Sequence, residues 1–258
     1  MNVPASLNNK AYLEHRTIFR EILDSKLPPH EKSLSRLAED AAVTVAAGTL
    51  TTAWTLSVAT YFLLSNPYIL KRLKDELYAA FPEGSHMPLV EIEKLPYLGA
   101  CIQEALRLSG ATNRLTRIAP DETMVVRQGI YEWRIPPGTP TSMTIPLLQE
   151  DETIFPNPKT YRPERWIENP RLDKYLLSFG RGSRICAGIN LAYAELYLAI
   201  GNLFRAYGSR ECQHPSDRGV LELFDTCIRD VESVADKTIP GVWEGSKGIR
   251  LRVFDLAK

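Results

Sequence analysis

The chain has 258 residues, enough for one large domain or two small ones and for a substantial buried core. Its 31 basic and 31 acidic residues give a formal net charge of zero, so no basic excess is available to replace phosphate counterions, and no nucleic-acid partner is expected. The four cysteines form no C-x-x-C pair and are expected to be reduced thiols, and the four histidines lack the spacing of metal ligands.

Polar residues open the chain, and the first helices are indicated by apolar residues at helical spacing. The stretch from Tyr12 to Ser25 has this pattern and predicts a surface helix. Pro28-Pro29 interrupts the chain, and a second helix is predicted to start at Glu31. Neither a charged leader with an apolar run nor an anchor helix follows Met1, so no targeting segment is expected in this chain.

The second helix is notable because no charged residue occurs between Ala41 and Leu70. A run of more than about 18 apolar residues indicates a membrane span. Here threonine, serine and glycine are distributed along the run, and a helix of small and apolar residues on all sides is equally expected at the centre of a large soluble fold. We therefore predict a buried helix that ends at Asn66-Pro67, with a membrane span as the alternative.

Two further helices are delimited by proline and glycine. The first begins at Pro67 and stops by Gly84, and the second runs from Pro96 to Gly110. The second carries Glu-Ala-Leu-Arg at residues 104–107, which places a glutamate and an arginine on one helix face. An exposed pair of this kind contributes only a few tenths of a kcal/mol. Its apolar neighbours instead predict that this pair is buried.

The middle and the tail of the chain predict small β elements. Short β-favouring runs alternate with turns from Leu115 to Ile145 and predict a small sheet, and a proline-rich stretch follows from Asp151 to Pro170. Near the end, the runs Val231 to Val234 and Ile249 to Phe254 are predicted to pair as a short hairpin.

Residues 179–188 read Phe-Gly-Arg-Gly-Ser-Arg-Ile-Cys-Ala-Gly and lead into an apolar helix pattern. Glycines allow the backbone to approach a ligand closely, and the N-terminus of the following helix favours a negative charge on Cys186. An arginine in the turn is shaped to bind a carboxylate through two parallel hydrogen bonds. These features suit a thiolate presented to haem iron. The alternative is a buried, inert cysteine on an ordinary turn.

This stretch matches the haem-binding signature of the cytochrome P450 family, Phe-x-x-Gly-x-Arg-x-Cys-x-Gly, at Phe179, Gly182, Arg184, Cys186 and Gly188. Three other motifs resemble those of the family and follow its order: Ala-Gly-Thr-Leu-Thr-Thr at residues 47–52 for the I helix, Glu-Ala-Leu-Arg at 104–107 for the K helix, and Pro-Glu-Arg-Trp at 163–166 for the meander.

The resemblance implies a mainly α fold with small β-sheets that corresponds to the C-terminal half of the cytochrome P450 fold, from the I helix to the C-terminal hairpin. Residues 1–258 would form a partial cytochrome P450 domain, a fragment that lacks the family's N-terminal half. The details resemble fungal cytochromes P450 of the trichodiene-oxygenase type most closely.

Site residues follow from the same resemblance. Cys186 would be the axial ligand of the iron of haem b. Arg184 and Arg117 would contact the haem propionates. Gly48 would leave room for dioxygen, and the Thr51 hydroxyl would support the bound oxygen.

The remaining motif residues carry a structural role in the family. Glu104, Arg107 and Arg165 would form a buried network beneath the haem-ligand loop. At the tail, the region from Ile239 to Trp243 is a candidate wall of the substrate pocket.

One position departs from the family pattern, because Leu50 stands where an acid is expected. An acid there can relay protons from solvent, and leucine cannot. Four interpretations stay open: another donor or a water chain serves, the protein uses peroxide, it rearranges an already oxidised substrate, or it is a poor monooxygenase.

The resemblance implies a haem-thiolate monooxygenase that oxidises an apolar small molecule, in secondary metabolism, with O2. Electrons would come from NADPH through NADPH-cytochrome P450 reductase, with cytochrome b5 as a further candidate partner. Full-length members lie on the cytosolic face of the endoplasmic reticulum membrane through an N-terminal anchor, and without that anchor this chain is expected to be cytosolic. The alternatives are a truncated, non-catalytic haem-binding remnant and, more remotely, a helical interaction module.

Overall fold

The computed structural model describes residues 17–110, 114, 116–237 and 239–255. These residues are mainly helical, with small sheets, which confirms the fold class predicted from the sequence. The chain divides into two compact units, Met1–Thr49 and Leu50–Lys258, and each is described by itself.

In the first unit, a short helix precedes a long one. Helix α1 (Ile18–Asp24) is capped by the Thr17 hydroxyl, which accepts a hydrogen bond from the backbone N–H of Arg20 at 3.2 Å. A 3-10 helix at Pro29–Lys32 follows, so the long helix α2 (Leu34–Ser65) starts three residues later than predicted. The predicted surface helix is thus present from Ile18, and its residues before Thr17 lie outside the described part of the chain.

Helix α2 is unbroken, and its buried residues all lie between Thr55 and Leu64. Earlier in the helix, Val43 and Val45 are 69% and 67% exposed. The prediction of a buried helix is therefore correct for the end of α2 and wrong for its beginning. By length and composition α2 is also apolar enough to cross a membrane, a test that the core helix of a soluble protein passes equally.

In its described residues, the second unit contains the end of α2 and six further α-helices. They are α3 (Pro67–Ala80), α4 (Leu89–Ile92), α5 (Pro96–Ser109), α6 (Ile145–Gln149), α7 (Glu164–Glu168) and α8 (Ile189–Ala206). Proline occupies the first position of α3 and α5, where its missing N–H costs nothing. Gly110 ends α5 in the left-handed conformation, with φ of +52°, as the sequence predicted.

One main core joins the end of α2 to α3, α5 and α8. Its fully buried side chains include Leu63, Leu70, Leu73, Leu98, Ile102, Ile200 and Phe204. Burying each such side chain stabilises the fold by roughly 1.5–3 kcal/mol. Helix α8 approaches α4 so closely at Gly201 that a Cβ there would overlap the Ile92 side chain. A smaller cluster packs Phe155, Trp166 and Leu172 beneath α5.

Nine short strands form four small sheets in the described residues. The strands are β1 (Arg117–Ile118), β2 (Met124–Gln128), β3 (Tyr131–Ile135), β4 (Pro140–Thr141), β5 (Tyr207–Gly208), β6 (Gly219–Leu223), β7 (Ala235–Lys237), β8 (Ile239–Gly241) and β9 (Leu251–Asp255). The hairpin β2–β3 and the pair β1–β4 lie where the sequence predicted a small sheet. The third sheet has the order β5-β6-β9, and β7 pairs with β8.

The predicted tail hairpin is wrong in its partners. Residues 231–234 form no strand, and the hairpin is instead made by β7 and β8. Strand β9 pairs antiparallel with β6, with Val220 opposite Phe254 and Leu221 opposite Val253. The apolar side chains of β6 offer β9 a partly buried surface that residues 231–234 lack.

A buried ion pair, absent from the sequence predictions, links α3 to the start of this sheet. The Lys74 Nζ donates hydrogen bonds to Asp217 Oδ1 at 2.7 Å and to the carbonyls of Phe204 and Tyr207 at 2.8 and 2.9 Å. Burial lowers the pKa of the Lys74 ammonium group, and the bond to Asp217 acts in the opposite direction. With three acceptors on its three N–H groups, the lysine is held as a fixed connection between α8 and α3.

Candidate functional site

Residues 179–188, which we name the cysteine loop, connect the meander to α8. Gly180 and Gly182 adopt left-handed φ angles of +68° and +78°, which favour glycine. The loop is closed by a hydrogen bond from the backbone N–H of Cys186 to the carbonyl of Phe179 at 2.9 Å. A 3-10 turn at Gly182–Arg184 then directs the chain towards α8. The loop is thus a compact turn with the cysteine close to its end.

The Cys186 thiol is exposed, whereas Cys101 and Cys212 are buried. Burial raises the pKa of the Cys101 thiol well above its ordinary value, as expected of an inert structural cysteine. The alternative that Cys186 is a buried small hydrophobe is therefore wrong.

The sulfur of Cys186 lies beside the N-terminus of α8. An ideal Cβ placed on Gly188, the N-cap of that helix, would be 3.9 Å from Cys186 Sγ. Among the described residues, no side chain caps this helix end, so its first backbone N–H groups are left for another acceptor. The N-terminus of a helix is in general a favourable position for a negatively charged group.

The two arginines of the loop differ in their contacts. The guanidinium of Arg184 is exposed and makes no hydrogen bond or ion pair with the described residues. The Nη2 of Arg181 instead donates to the carbonyls of Asp173 and Lys174, at 3.1 and 2.6 Å. Arg184 is thus the arginine left to bind an anionic group on a ligand.

These residues fit a haem group. The loop and the start of α8 combine an exposed cysteine, the exposed Arg184 guanidinium for a propionate, and the exposed apolar side chains of Ile185 and Leu191. Thiolate and carboxylate-binding arginine are the donors that a haem needs on one face. A flat apolar ligand would also cover the side chains of Ile185 and Leu191, which are 49% and 60% exposed.

Behind the loop, a buried cluster forms around Glu104, whose side chain is fully buried. Its carboxylate accepts hydrogen bonds from Arg107 Nε and Nη2 at 3.0 and 2.8 Å, and from Arg165 Nε at 3.1 Å. Two more donors, Trp166 Nε1 and the backbone N–H of Arg162, lie at 2.8 and 3.0 Å. We name Glu104, Arg107, Arg165 and Trp166 the Glu104 cluster.

The spare donors of both arginines in this cluster are bound by backbone carbonyls. Arg107 Nη1 donates to the carbonyl of Gln149 at 2.8 Å, and Arg165 Nη1 donates to that of Pro156 at 3.1 Å. Burial lowers the pKa of the Arg165 guanidinium, whereas Glu104 acts to raise it, and an arginine keeps its charge in either case. The cluster therefore holds two cations and one anion with nearly all polar atoms satisfied.

Sequence reasoning brought Glu104, Arg107 and Arg165 together but did not include Trp166. The signal was present, because Trp166 ends the Pro-Glu-Arg-Trp stretch that supplied Arg165. The residue before the cysteine loop is bound to α5, the helix of Glu104 and Arg107, since the Ser178 hydroxyl donates to the carbonyl of Leu106 at 2.7 Å.

The other expected site residues lie on different elements. Arg117 is exposed on β1, and its Nη1 donates to the neighbouring carbonyl of Thr116 at 3.0 Å. Gly48 belongs to the first unit and lies on the exposed part of α2. Thr51 belongs to the second unit, and its carbonyl accepts a hydrogen bond from the Thr55 hydroxyl at 3.1 Å.

The tail is fastened by a second buried carboxylate that the sequence did not reveal. Asp230 accepts hydrogen bonds from Trp243 Nε1 at 3.0 Å, the Ser246 hydroxyl at 2.6 Å and the backbone N–H of Cys227 at 2.9 Å. Burial acts to raise the pKa of this carboxyl group, but these hydrogen bonds outweigh it and leave the pKa below its ordinary value. We name these residues the Asp230 clasp.

The Asp230 clasp includes Trp243, the last residue of the expected pocket wall from Ile239 to Trp243. The indole of Trp243 donates a hydrogen bond to Asp230, and the Arg229 guanidinium lies 4.5 Å above the centroid of its ring. A cavity of about 390 Å³ is lined in this region by Val234, Ala235 and Asp236, at and just before the first strand of the hairpin.

Comparison with known proteins gives consistent matches. The model of the family described as Cytochrome P450 matches residues 9–223. The chain is 52% identical to the cytochrome P450 monooxygenase astB of Talaromyces wortmannii, covering 96% of this chain and 52% of that protein. It is 51% identical to tpcC of Cochliobolus heterostrophus, with 92% and 46% covered, and 38% identical to sdnE of Sordaria araneosa, with 98% and 48% covered. The chain thus spans about half the length of the curated relatives it matches.

Proposed function

The chain belongs to the cytochrome P450 family, and on this basis we propose that it supplies the haem-binding half of a haem-thiolate monooxygenase with Cys186 as the axial ligand. The observation that supports the proposal best is the exposed Cys186 thiol beside the uncapped N-terminus of α8. A cysteine that served only packing would be buried, as Cys101 is.

In this proposal the loop residues bind and orient the cofactor. Arg184 and, from β1, Arg117 pair with the haem propionates through charge-assisted hydrogen bonds. Gly182 and Gly188 keep the backbone free of side chains next to the macrocycle. The ring of Phe179 rests against Tyr193 of α8, with 5.2 Å between ring centroids, and so holds the loop to the helix.

Bound through a thiolate, haem supplies the oxygen chemistry, because the sulfur donates electron density that favours O–O cleavage. By the family pattern, Gly48 would leave space for dioxygen, and the Thr51 hydroxyl would hold a proton as a hydrogen-bond donor.

The substrate, electron source and location follow from the family. We propose an apolar small molecule of fungal secondary metabolism as substrate, since the relatives are fungal cytochrome P450 monooxygenases. Electrons would come from NADPH through NADPH-cytochrome P450 reductase, with cytochrome b5 as an accessory donor. Full-length members of the family would lie on the cytosolic face of the endoplasmic reticulum membrane.

A second candidate function is favoured by Leu50. This residue is 53% exposed on α2 and carries no group that can transfer a proton. A peroxide-using or rearranging haem-thiolate enzyme would need no such relay from solvent. A haem-binding remnant without catalysis would need neither the relay nor a closed substrate pocket.

The proposal is tested with two proteins: the 258-residue chain, and a chimera in which it replaces the matching half of astB from Talaromyces wortmannii. Each is loaded with haem, reduced and treated with carbon monoxide. We expect the chimera to show the Soret band of a thiolate-ligated haem, and its Cys186→Ser variant to lose it. A chimera that takes up haem without this band, or takes up none, would overturn the proposal.

Turnover of the chimera then separates the two candidates. Product formation driven by NADPH and reductase supports the monooxygenase. Product formed only with peroxide supports the second candidate. No turnover with either oxidant, in a chimera that shows the thiolate band, identifies the non-catalytic remnant.

A further inference from the structure

Arg181 is the residue of the cysteine loop that fastens it to the rest of the protein. Among the described residues, its bonds to the carbonyls of Asp173 and Lys174 are the only side-chain hydrogen bonds that residues 179–188 make. The backbone bonds of Ile185 to Gly182 and of Cys186 to Phe179 both stay within the loop. Backbone bonds leave it only at its two ends, from Gly180 N–H to the Leu177 carbonyl at 2.8 Å and from Ala192 N–H to the Gly188 carbonyl at 2.9 Å, among the described residues. Without Arg181, no hydrogen bond between the described residues would tie the middle of the loop to another element.

The acceptors of Arg181 belong to a well-anchored element. Asp173 and Lys174 lie near the end of the 3-10 helix Pro170–Tyr175, where a cation is favoured, and the Asp173 carbonyl also accepts a hydrogen bond from the backbone N–H of Leu176 at 3.1 Å. The same helix buries Leu172 against Trp166, and Trp166 donates to Glu104. The tether therefore runs from the cysteine loop to the Glu104 cluster.

The backbone around Arg181 explains why a tether is needed. Gly180 and Gly182, on either side of it, have φ angles of +68° and +78°, whereas Arg181 itself is extended. Glycine has many accessible conformations, so two glycines flanking one residue form two flexible joints. The hydrogen bonds of the Arg181 side chain, between these two glycines, therefore restrict conformational freedom that the backbone alone would retain.

We infer that Arg181 is a positioning residue that fixes the direction of the Cys186 sulfur, whereas Arg184 is left to bind the ligand. Arg181 acts through the backbone of the loop and touches neither substrate nor cofactor. The inference rests on the proposed function, in which Cys186 binds haem iron.

The test compares Arg181→Ala and Arg181→Lys with a matched control, Arg171→Ala. Arg171 is an exposed arginine on the same 3-10 helix, and its side chain makes no hydrogen bond with the described residues. The haem-loaded chimera of each variant is reduced and treated with carbon monoxide while the temperature is raised. The readout is the ratio of haem that has lost its thiolate to haem that keeps it.

For Arg181→Ala we expect normal haem uptake and a roughly tenfold higher ratio of thiolate-free haem, as for the loss of a charge-assisted hydrogen bond. Arg181→Lys should recover part of this loss, since an ammonium group can still bind the two carbonyls. Arg171→Ala should match the wild type. An Arg181→Ala protein that keeps its thiolate like the wild type would overturn the inference.

A second measurement does not depend on haem. In the haem-free chain, hydrogen exchange at the Ile185 and Cys186 amides reports how often the loop opens. Arg181→Ala should speed this exchange, and Arg171→Ala should not. If the wild-type chimera lacks the thiolate band but the exchange result holds, the proposed function has failed and the tether has not. Unchanged exchange at both amides contradicts the tether itself.

Discussion

At the residue scale, the carboxylates that matter for the fold are those from which water is excluded. Glu104 accepts five hydrogen bonds and has a fully buried side chain. Glu91, by contrast, pairs with Lys94 at 2.8 Å on the surface, where both side chains are more than half exposed. Both are glutamates three residues from a cation on a helix or its edge. Their energetic roles differ because only the buried cations would be left uncompensated if the acid were removed.

The first prediction concerns this difference. Glu104→Gln should lower the free energy of unfolding by about 3–5 kcal/mol, because Arg107 and Arg165 would stay buried without an anion. Glu91→Gln, the surface control, should change it by less than about 1 kcal/mol. Urea unfolding at neutral pH measures both values.

An equal, small effect of the two substitutions would contradict this account of the cluster. If Glu104→Gln accumulates only as insoluble protein, Trp166→Phe is informative. It removes one donor to Glu104 and should cost about 1–3 kcal/mol.

The second prediction concerns proton supply at Leu50. In the chimera, Leu50→Glu introduces an acid at the position where the family carries one, and it should raise NADPH-driven turnover relative to peroxide-driven turnover. An effect on the order of tenfold or more is expected of a positioned proton donor. Leu50→Gln is the matched control, because it has the shape of glutamate without a titrating group. Equal ratios for the two variants would mean that proton supply does not depend on this position.

At the element scale, local sequence signals predicted helix ends well and strand partners poorly. Proline and glycine defined α3 and α5 because their effects act on the residue that carries them and on its neighbours. Strand β9 was correctly located near the end of the chain, but its partner β6 lies about 30 residues earlier. Periodicity within a strand does not identify the strand beside it.

The same limit explains which polar contacts were missed. Glu104 and Arg107 are one helical turn apart, so spacing alone placed them together. Lys74 and Asp217 are separated by 143 positions, and nothing in either neighbourhood indicates the other. The Asp230 clasp joins residues only 13 to 16 positions apart, yet a hairpin lies between them.

The third prediction concerns this clasp as the fastening of the tail. The pKa of the Asp230 carboxyl group is lowered in the folded state. The carboxylate therefore stabilises the fold at every pH above the unfolded-state pKa, and this contribution is lost as the pH falls through the folded-state pKa. Asp230→Asn should therefore lower the free energy of unfolding by about 1–3 kcal/mol near pH 7. The difference from wild type should shrink below about pH 3.9, the ordinary value for aspartate.

Urea unfolding of both proteins across this pH range gives the measurement. Asp75→Asn is the control, since Asp75 pairs with Lys71 on the surface and its loss should have little effect at any pH. A constant difference between wild type and Asp230→Asn down to strongly acidic pH would contradict a role for the carboxylate charge.

At the scale of the whole molecule, the beginning of α2 presents an apolar surface to solvent. Leu34, Val43 and Val45 are 84%, 69% and 67% exposed. Soluble proteins rarely leave a large contiguous apolar patch uncovered. The chain spans about half the length of the relatives it matches, and the other half of such a relative is a source of covering residues.

The fourth prediction is that the N-terminal half of a relative covers this surface. The 258-residue chain should bind a hydrophobic dye and self-associate in sedimentation experiments, and the chimera with astB should do neither. Substituting Val43→Glu and Val45→Glu together distinguishes covering from a mere change in solubility. In the chain alone the two charges should reduce dye binding and alter the free energy of unfolding by no more than about 0.5 kcal/mol per site, as at an exposed position.

In the chimera the same two charges should be strongly destabilising, because an ionised carboxylate without a partner is costly to bury. Equal tolerance of the double substitution in both proteins would show that the beginning of α2 stays exposed in the longer chain. The small and polar side chains of α2, chiefly alanine and threonine, would then have to keep this exposed part of the helix in solution. The opposite responses expected of the two proteins follow from one physical cause, the removal of water from the beginning of α2.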